Sequence, residues 1–336
     1  MDKSELLKYV GNLSQTGYCR HYTLSDGWGR GMRAADINTG SGLQYTVLPD
    51  RGLDISMASY KGVNLVYQTC NGETHPSFYE PEGLGWLRTF GAGLLTTCGL
   101  THLGPPCTDD GEQLGLHGRF STIPSKQFND LSDWEGNEYR YKVKAIIEEG
   151  FLFGYKLKME REISSLRGQN SILLTDKITN FGSKPSPYTI LYHMNFGFPL
   201  LSEETELIID PLKTIPRDED AIPGIKDFRS FIKPQKIFKE QVFFHAIKGN
   251  SEGEATVTVR NRKIGIAVGI KININQLPYV AQWKMMGWGE YVLGIEPSNV
   301  LCKSRKTLRE ENTLPELQPG ESKTNILEFS VNDVQD

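Results

Sequence analysis

Three short segments place ionisable side chains on the faces of apolar strands. In "ILYHMNFGFPLL", residues 190–201, Ile190, Tyr192, Met194, Phe196 and Phe198 share one face by the period of two. The opposite face carries Leu191, His193, Asn195 and Gly197. In "QLGLHGRF" the same alternation sets Gly115, His117 and Arg119 against Leu114, Leu116 and Phe120. In "YVLGIEPSN" it sets Val292, Gly294 and Glu296 against Tyr291, Leu293 and Ile295. Pro297 also keeps Glu296 extended, because a residue before proline avoids the α region. A single strand histidine is most often a hydrogen-bonded structural residue, and a Glu before Pro is usually just exposed. Three such groups off the core face, each near a glycine, instead suggest convergence on a concave sheet. Imidazole with a pKa of about 6.5 and carboxylate of about 4.3 are the parts of general acid–base chemistry near neutral pH.

The elements that must position them are strands. "IGIAVGIKINI" alternates Ile264, Ile266, Val268, Ile270, Ile272 and Ile274 with small or polar residues, the mark of one packed face. "LQYTVLP", "LDISMASY", "YRYKVKAIIEE", "YKLKMEREI", "SILLTDKITN", "ELIIDPL", "ATVTVR" and "TNILEFSV" read similarly, separated by turn signals such as "NTGSG" and "KGNSEGE". Helical periodicity is confined to the N-terminus, around "KSELLKYV". No βαβ alternation or fixed-period repeat is present, which excludes Rossmann and TIM-barrel architectures. The expectation is an all-β fold, a large antiparallel β-sandwich with a short N-terminal helix. It is read as one domain over 1–336, with a helical lead-in over 1–24.

Composition narrows the partners. The chain has 336 residues, 38% hydrophobic and 23% charged, with a formal net charge of -4 and no basic block, so nucleic acid is not expected. No apolar run is long enough for a membrane helix, and "MDKSELLKYVGN" lacks a signal-peptide core, so a cytoplasmic location is expected. The five cysteines are odd in number and scattered, unlike a disulfide framework. "CGLTHLGPPC" gathers Cys98, His102 and Cys107, with His117 following, as soft zinc ligands would be. The spacing fits no short-knuckle pattern, however, and free cysteine is commonly a small core residue, so no metal is expected.

The order "LHGR", "LYHMNFGFP", "GIEPSN", preceded by "WLRTFGAGLLTTCGL", resembles the galactose mutarotase, or aldose 1-epimerase, superfamily over about residues 40 to 330. The resemblance is strongest to a poorly characterised aldose 1-epimerase-like branch. It implies a β-supersandwich and an isomerase that opens and recloses an aldose ring without metal, nucleotide or covalent intermediate. It implies Glu296 as general base, His193 as general acid and His117 as support on the ring-oxygen side. Arg88, in "WLRTF", falls where the family carries an arginine that contacts sugar hydroxyls.

Two departures from the family pattern bear on the sugar. No aspartate stands in an "LDHNF"-like strand; the matching region reads "KEQVFFHAI", where His245 or Gln241 would substitute. Arg119, directly after the "HG" pair, adds a cation that favours a uronate or sugar phosphate. Asn195 shares the face of His193 and is expected to meet the sugar. In "YVAQWKMMGWGEY", Trp283 and Trp288 are either sugar platforms or packing, while Gln282 and Lys284 are candidates for polar contacts. The rival readings are a non-catalytic carbohydrate-binding or sensing protein, and a sugar isomerase or lyase using the same acid–base groups. Retention of His117, His193 and Glu296 favours catalysis, because binding alone needs no acid–base pair.

Overall fold

The computed structural model describes residues 2–334. Antiparallel strands dominate, as the alternation requires, and they form three large sheets. A nine-stranded sheet contains Lys126–Asp130, Glu138–Gly150, Lys156–Leu166, Ser171–Asn180, Ser322–Asp333, Ile266–Asn273 and Glu254–Asn261 among its members. A six-stranded sheet runs in the order Pro211–Pro216, Gln241–Ile247, Tyr279–Met286, Tyr291–Ser298, Thr189–Phe196, Thr96–Leu100. Five N-terminal strands, from Tyr18–Thr23 to Val63–Asn64, form the third.

One apolar core draws on all three. Ile163, Ile178, Val268 and Phe329 come from the large sheet, Ile190, Tyr192, Phe243 and Ile295 from the six-stranded sheet, and Tyr45 and Ile55 from the third. Such sheet-on-sheet burial is the main stabilising contribution in a sandwich. A buried ion cluster ties the layers together. Arg161 donates to Asp176 at 2.8 and 2.7 Å and to Asp54 at 2.8 Å, while Asp54 accepts from the Thr97 amide at 2.9 Å. Tyr192, on the strand that carries His193, donates to Asp176 at 2.8 Å.

The N-terminal helix spans Lys3–Tyr9, capped by Asp2. The expected helical lead-in over 1–24 is shorter, because Tyr18–Thr23 is already a strand. A second helix, Arg305–Glu310, was not expected; Ser304 caps it by accepting from the Thr307 amide. "QLGLHGRF" also differs from its expected alternation. Its strand ends at Leu114, and His117 and Gly118 turn with φ of 58° and 72°. The strand after Thr189 stops at Phe196, leaving Phe198 exposed beside Pro199. Among the described residues, no helix is long and apolar enough to cross a membrane.

Candidate active site

The site lies on the face of the six-stranded sheet that points away from the core. Across three adjacent strands the register pairs Ala281 with Glu296, and Leu191 with Ser298 and Met194 with Ile295. Ala281, Glu296 and His193 therefore stand in a row on one face, with a small residue leaving the carboxylate room. Gly294 pairs with Trp283 on one side and Asn195 on the other. A Cβ built on Gly294 would lie 2.6 Å from Glu296 Oε1 and 3.0 Å from Trp283 Cβ, so a methyl there would push the carboxylate aside. Gly294→Ala is expected to displace the carboxylate, and any reaction that depends on its position should slow about tenfold. Unchanged turnover in a folded Gly294→Ala protein would show that this fit is unimportant.

The row opens into a cavity of about 730 Å³. His117, His193 and Glu296 all line it, with Trp86, Phe90, Leu116, Val242, Phe244 and Trp283 as apolar walls. His193 Nε2 lies 3.3 Å from Glu296 Oε1. The His117 and His193 rings meet edge to face with centroids 5.7 Å apart. His117 is fixed by Nδ1 against the Leu103 carbonyl at 2.8 Å, and Trp86 edges onto its ring at 4.7 Å. Glu296 Oε1 and His193 Nδ1 are buried and have no hydrogen-bond partner among the described residues. Buried polar atoms are rarely left so unless a ligand or water serves them.

Burial decides the protonation states. It pushes the Glu296 carboxyl up to about 8, with the nearby Glu240 charge adding to the effect. Burial likewise drives His193 well below its ordinary value, reinforced by His117. His117 itself falls to about 4, chiefly through burial. At neutral pH the proton of the Glu296–His193 pair therefore rests on Glu296.

Sequence reasoning missed the polar rim. Arg217 bonds Asp218 at 2.6 Å and Glu240 at 2.8 Å, and Trp283 Nε1 donates to Glu240 at 2.9 Å. All four residues line the cavity, together with Lys303, Ser304 and Thr307 around the start of the second helix. Glu240 sits in the "KEQVFFHAI" segment, one residue before the strand begins.

Seven residues expected at the sugar lie elsewhere. His245 and Gln282 face the other side of the sheet, where His245 bonds Thr214 at 2.9 Å and Gln282 at 3.1 Å. Gln282 also donates to the Phe228 carbonyl at 2.6 Å. The cause is strand parity: Val242, Phe244, Ala281 and Trp283 take the cavity side, so their neighbours cannot. Lys284 shares that far side and donates to the Asp227 carbonyl at 3.0 Å. Asn195 is on the face of His193 but off the cavity, donating to the Gly93 and His193 carbonyls at 3.1 and 2.9 Å. It braces the strand. Arg88 ends a 3-10 turn whose Trp86 points inward, leaving the arginine 73% exposed beside Glu80. Arg119 lines a separate pocket of about 80 Å³ with Glu112, Glu149 and Tyr155, because the chain turns at His117–Gly118. Trp288 is exposed and lies outside the cavity. The sulfur and nitrogen atoms of Cys98, His102 and Cys107 do not converge; Cys98 packs with Trp86, Phe90 and Leu191.

A family model described as a domain of unknown function (DUF4432) matches residues 29–331. No curated protein matches the chain. Among solved structures, a Klebsiella pneumoniae protein described provisionally as an aldose 1-epimerase superposes with a TM-score of 0.90 at 25% identity, covering 99% of this chain and 87% of its own. A galactose mutarotase-like protein from Clostridium acetobutylicum gives a TM-score of 0.64 at 13% identity, covering 95% and 100%. Galactose 1-epimerase from Lactobacillus acidophilus gives 0.61 at 13% identity, again covering 95% and 100%. The fold is that of the galactose mutarotase-like sandwich, as the sequence resemblance implied.

Proposed function

The chain belongs to the DUF4432 family, and we propose that it is an aldose 1-epimerase-like isomerase acting in the cavity of His117, His193 and Glu296. The observation that carries this reading is the buried 3.3 Å contact between a carboxyl and an imidazole in an aromatic-walled cavity of about 730 Å³. The volume suits a monosaccharide, and aromatic walls suit the apolar faces of a sugar ring.

In a hemiacetal the anomeric hydroxyl and the ring oxygen are both bonded to C1, so an acid and a base in mutual contact can serve them together. Glu296 takes the proton from the anomeric hydroxyl as the C1–ring-oxygen bond breaks. His193 delivers a proton to the departing ring oxygen, leaving an open-chain aldehyde. Carbon 1 rotates and the same transfers run backwards to close the other anomer. The reactive arrangement is carboxylate with imidazolium, whereas the free pair keeps its single proton on Glu296. On this reading the proton passes from Glu296 to His193 before ring opening, through a hydroxyl or water that bonds to both groups. His117, neutral at pH 7 and held by Leu103, supports the ring-oxygen side.

The rim favours a neutral sugar over the uronate or sugar phosphate that Arg119 suggested. Arg217 is engaged by Asp218 and Glu240, and Lys303 by Glu311 at 2.6 Å. Glu240, already holding Trp283 in place, is the carboxylate best situated to accept from sugar hydroxyls in place of the family aspartate.

The test is polarimetry of freshly dissolved aldoses, uronates and sugar phosphates across pH. From sequence alone, Glu296 would govern the acid limb and His193 the limb above it. We infer the reverse from the burial of both groups. kcat/KM should fall above about pH 8, where the pair loses its only proton, and again in acid, where His193 gains a second. A rate that climbs through pH 8 would contradict the one-proton pair. Saturable sugar binding with no acceleration for any sugar would favour the non-catalytic binding reading.

A further inference from the structure

A second cluster of metal-ligating side chains lies apart from the cavity. Cys19 and His21 alternate on the strand Tyr18–Thr23, which edges the five-stranded sheet, so both side chains point the same way. Asp130 ends the strand Lys126–Asp130 of the nine-stranded sheet. Cys19 Sγ is 3.5 Å from His21 Nε2, and His21 Nε2 is 3.7 Å from Asp130 Oδ2. All three donor atoms lie within 4.8 Å of one another.

We propose that Cys19, His21 and Asp130 form a site for a zinc-class divalent cation that clamps the N-terminal edge strand to the large sheet. Zinc–sulfur and zinc–nitrogen bonds of about 2.3 and 2.05 Å at tetrahedral angles give an S···N edge of about 3.5 Å and an N···O edge of about 3.4 Å. The first matches the Cys19–His21 separation and the second needs a movement of only a few tenths of an ångström. A single nitrogen, Nε2, lies near both other donors, as binding to one shared ion requires. A Cys–His–Asp proton relay would instead use the two ring nitrogens separately. The thiolate–imidazole–carboxylate set selects zinc-like ions over magnesium or calcium, which take oxygen ligands.

Binding exchanges the thiol proton of Cys19 for the ion, and the proton passes to solvent. The side chains of His21 and Asp130 are 44% and 32% exposed, so water can complete the fourth position. The clamp has work to do at this edge. Residues 20–23 of the strand are exposed, with partners on one side only, from the strand Arg33–Asn38.

The test uses the full chain, stripped of metal and titrated with cobalt(II) and then zinc. One equivalent of cobalt should bind with a thiolate charge-transfer band, and zinc should displace it. A hundredfold excess of zinc over its Kd should raise the folded-to-unfolded ratio about a hundredfold. Amide exchange over residues 18–23 should slow on binding. Cys19→Ser and His21→Ala should both abolish the band, and Asp130→Asn should weaken zinc binding at least tenfold. Absence of a stoichiometric band, or full cobalt and zinc binding in Cys19→Ser, would overturn the proposal.

Discussion

Glu296→Gln is expected to slow anomer interconversion by about 10²-fold or more, the usual weight of one general acid–base group. The amide keeps the size of the side chain and its place in the row Ala281–Glu296–His193, but it cannot accept the anomeric proton. His193→Asn should cost a similar factor by removing the titrating ring. Sugar affinity should change far less in either variant, because the aromatic walls Trp86, Phe90 and Trp283 are left in place. If the pair works as a unit, the double variant should be only slightly slower than the slower single one. Losses that simply multiply would mean that the two residues act independently.

The second large effect concerns the fold. Arg161 is fully buried, with Asp176, Asp54 and the Gly52 carbonyl as its partners. Arg161→Met leaves carboxylates in the core without their counter-charge, and breaking a buried pair in this way costs about 3–5 kcal/mol. Urea unfolding should show the midpoint falling accordingly. Should the single variant fail to fold, Arg161→Met with Asp176→Asn should recover part of the loss, since one stranded charge is then removed. A loss below about 1 kcal/mol would assign the cluster to the low weight of a surface pair.

Much of the scaffold was legible because apolar alternation survives wherever only one face is packed. Ile190, Tyr192 and Met194 mark the core face of their strand, and Leu293 and Ile295 do the same for theirs, which is why His193 and Glu296 could be placed on the other side. The same logic fails for Gln241–Ile247 and Tyr279–Met286. Phe243 enters the core while Val242 and Phe244 wall the cavity, so both faces are apolar and the period cannot say which is which. His245 and Gln282 were assigned to the wrong side for that reason. His117 reached the cavity by a left-handed turn rather than by strand parity, and the same turn carried Arg119 away. Arg217, Asp218 and Glu240 were illegible, because a charge in a loop gives no sign of a cavity assembled from distant segments. Of the glycines read as clearing space, Gly294 lies against Glu296 and Trp283 at the cavity, whereas the small Ala281 opposite Glu296 gave no sign in the sequence.

The measurement that bears most directly on catalysis by this cavity is two-dimensional NMR exchange between the α and β anomer resonances of neutral aldohexoses, recorded at neutral pH with wild-type protein and with Glu296→Gln. Exchange cross-peaks should grow with wild-type concentration, saturate with sugar, and fall about 10²-fold in Glu296→Gln with the fold intact. Equal exchange rates for the two proteins, or no acceleration by the wild type with a sugar that demonstrably binds, would contradict catalysis by this cavity.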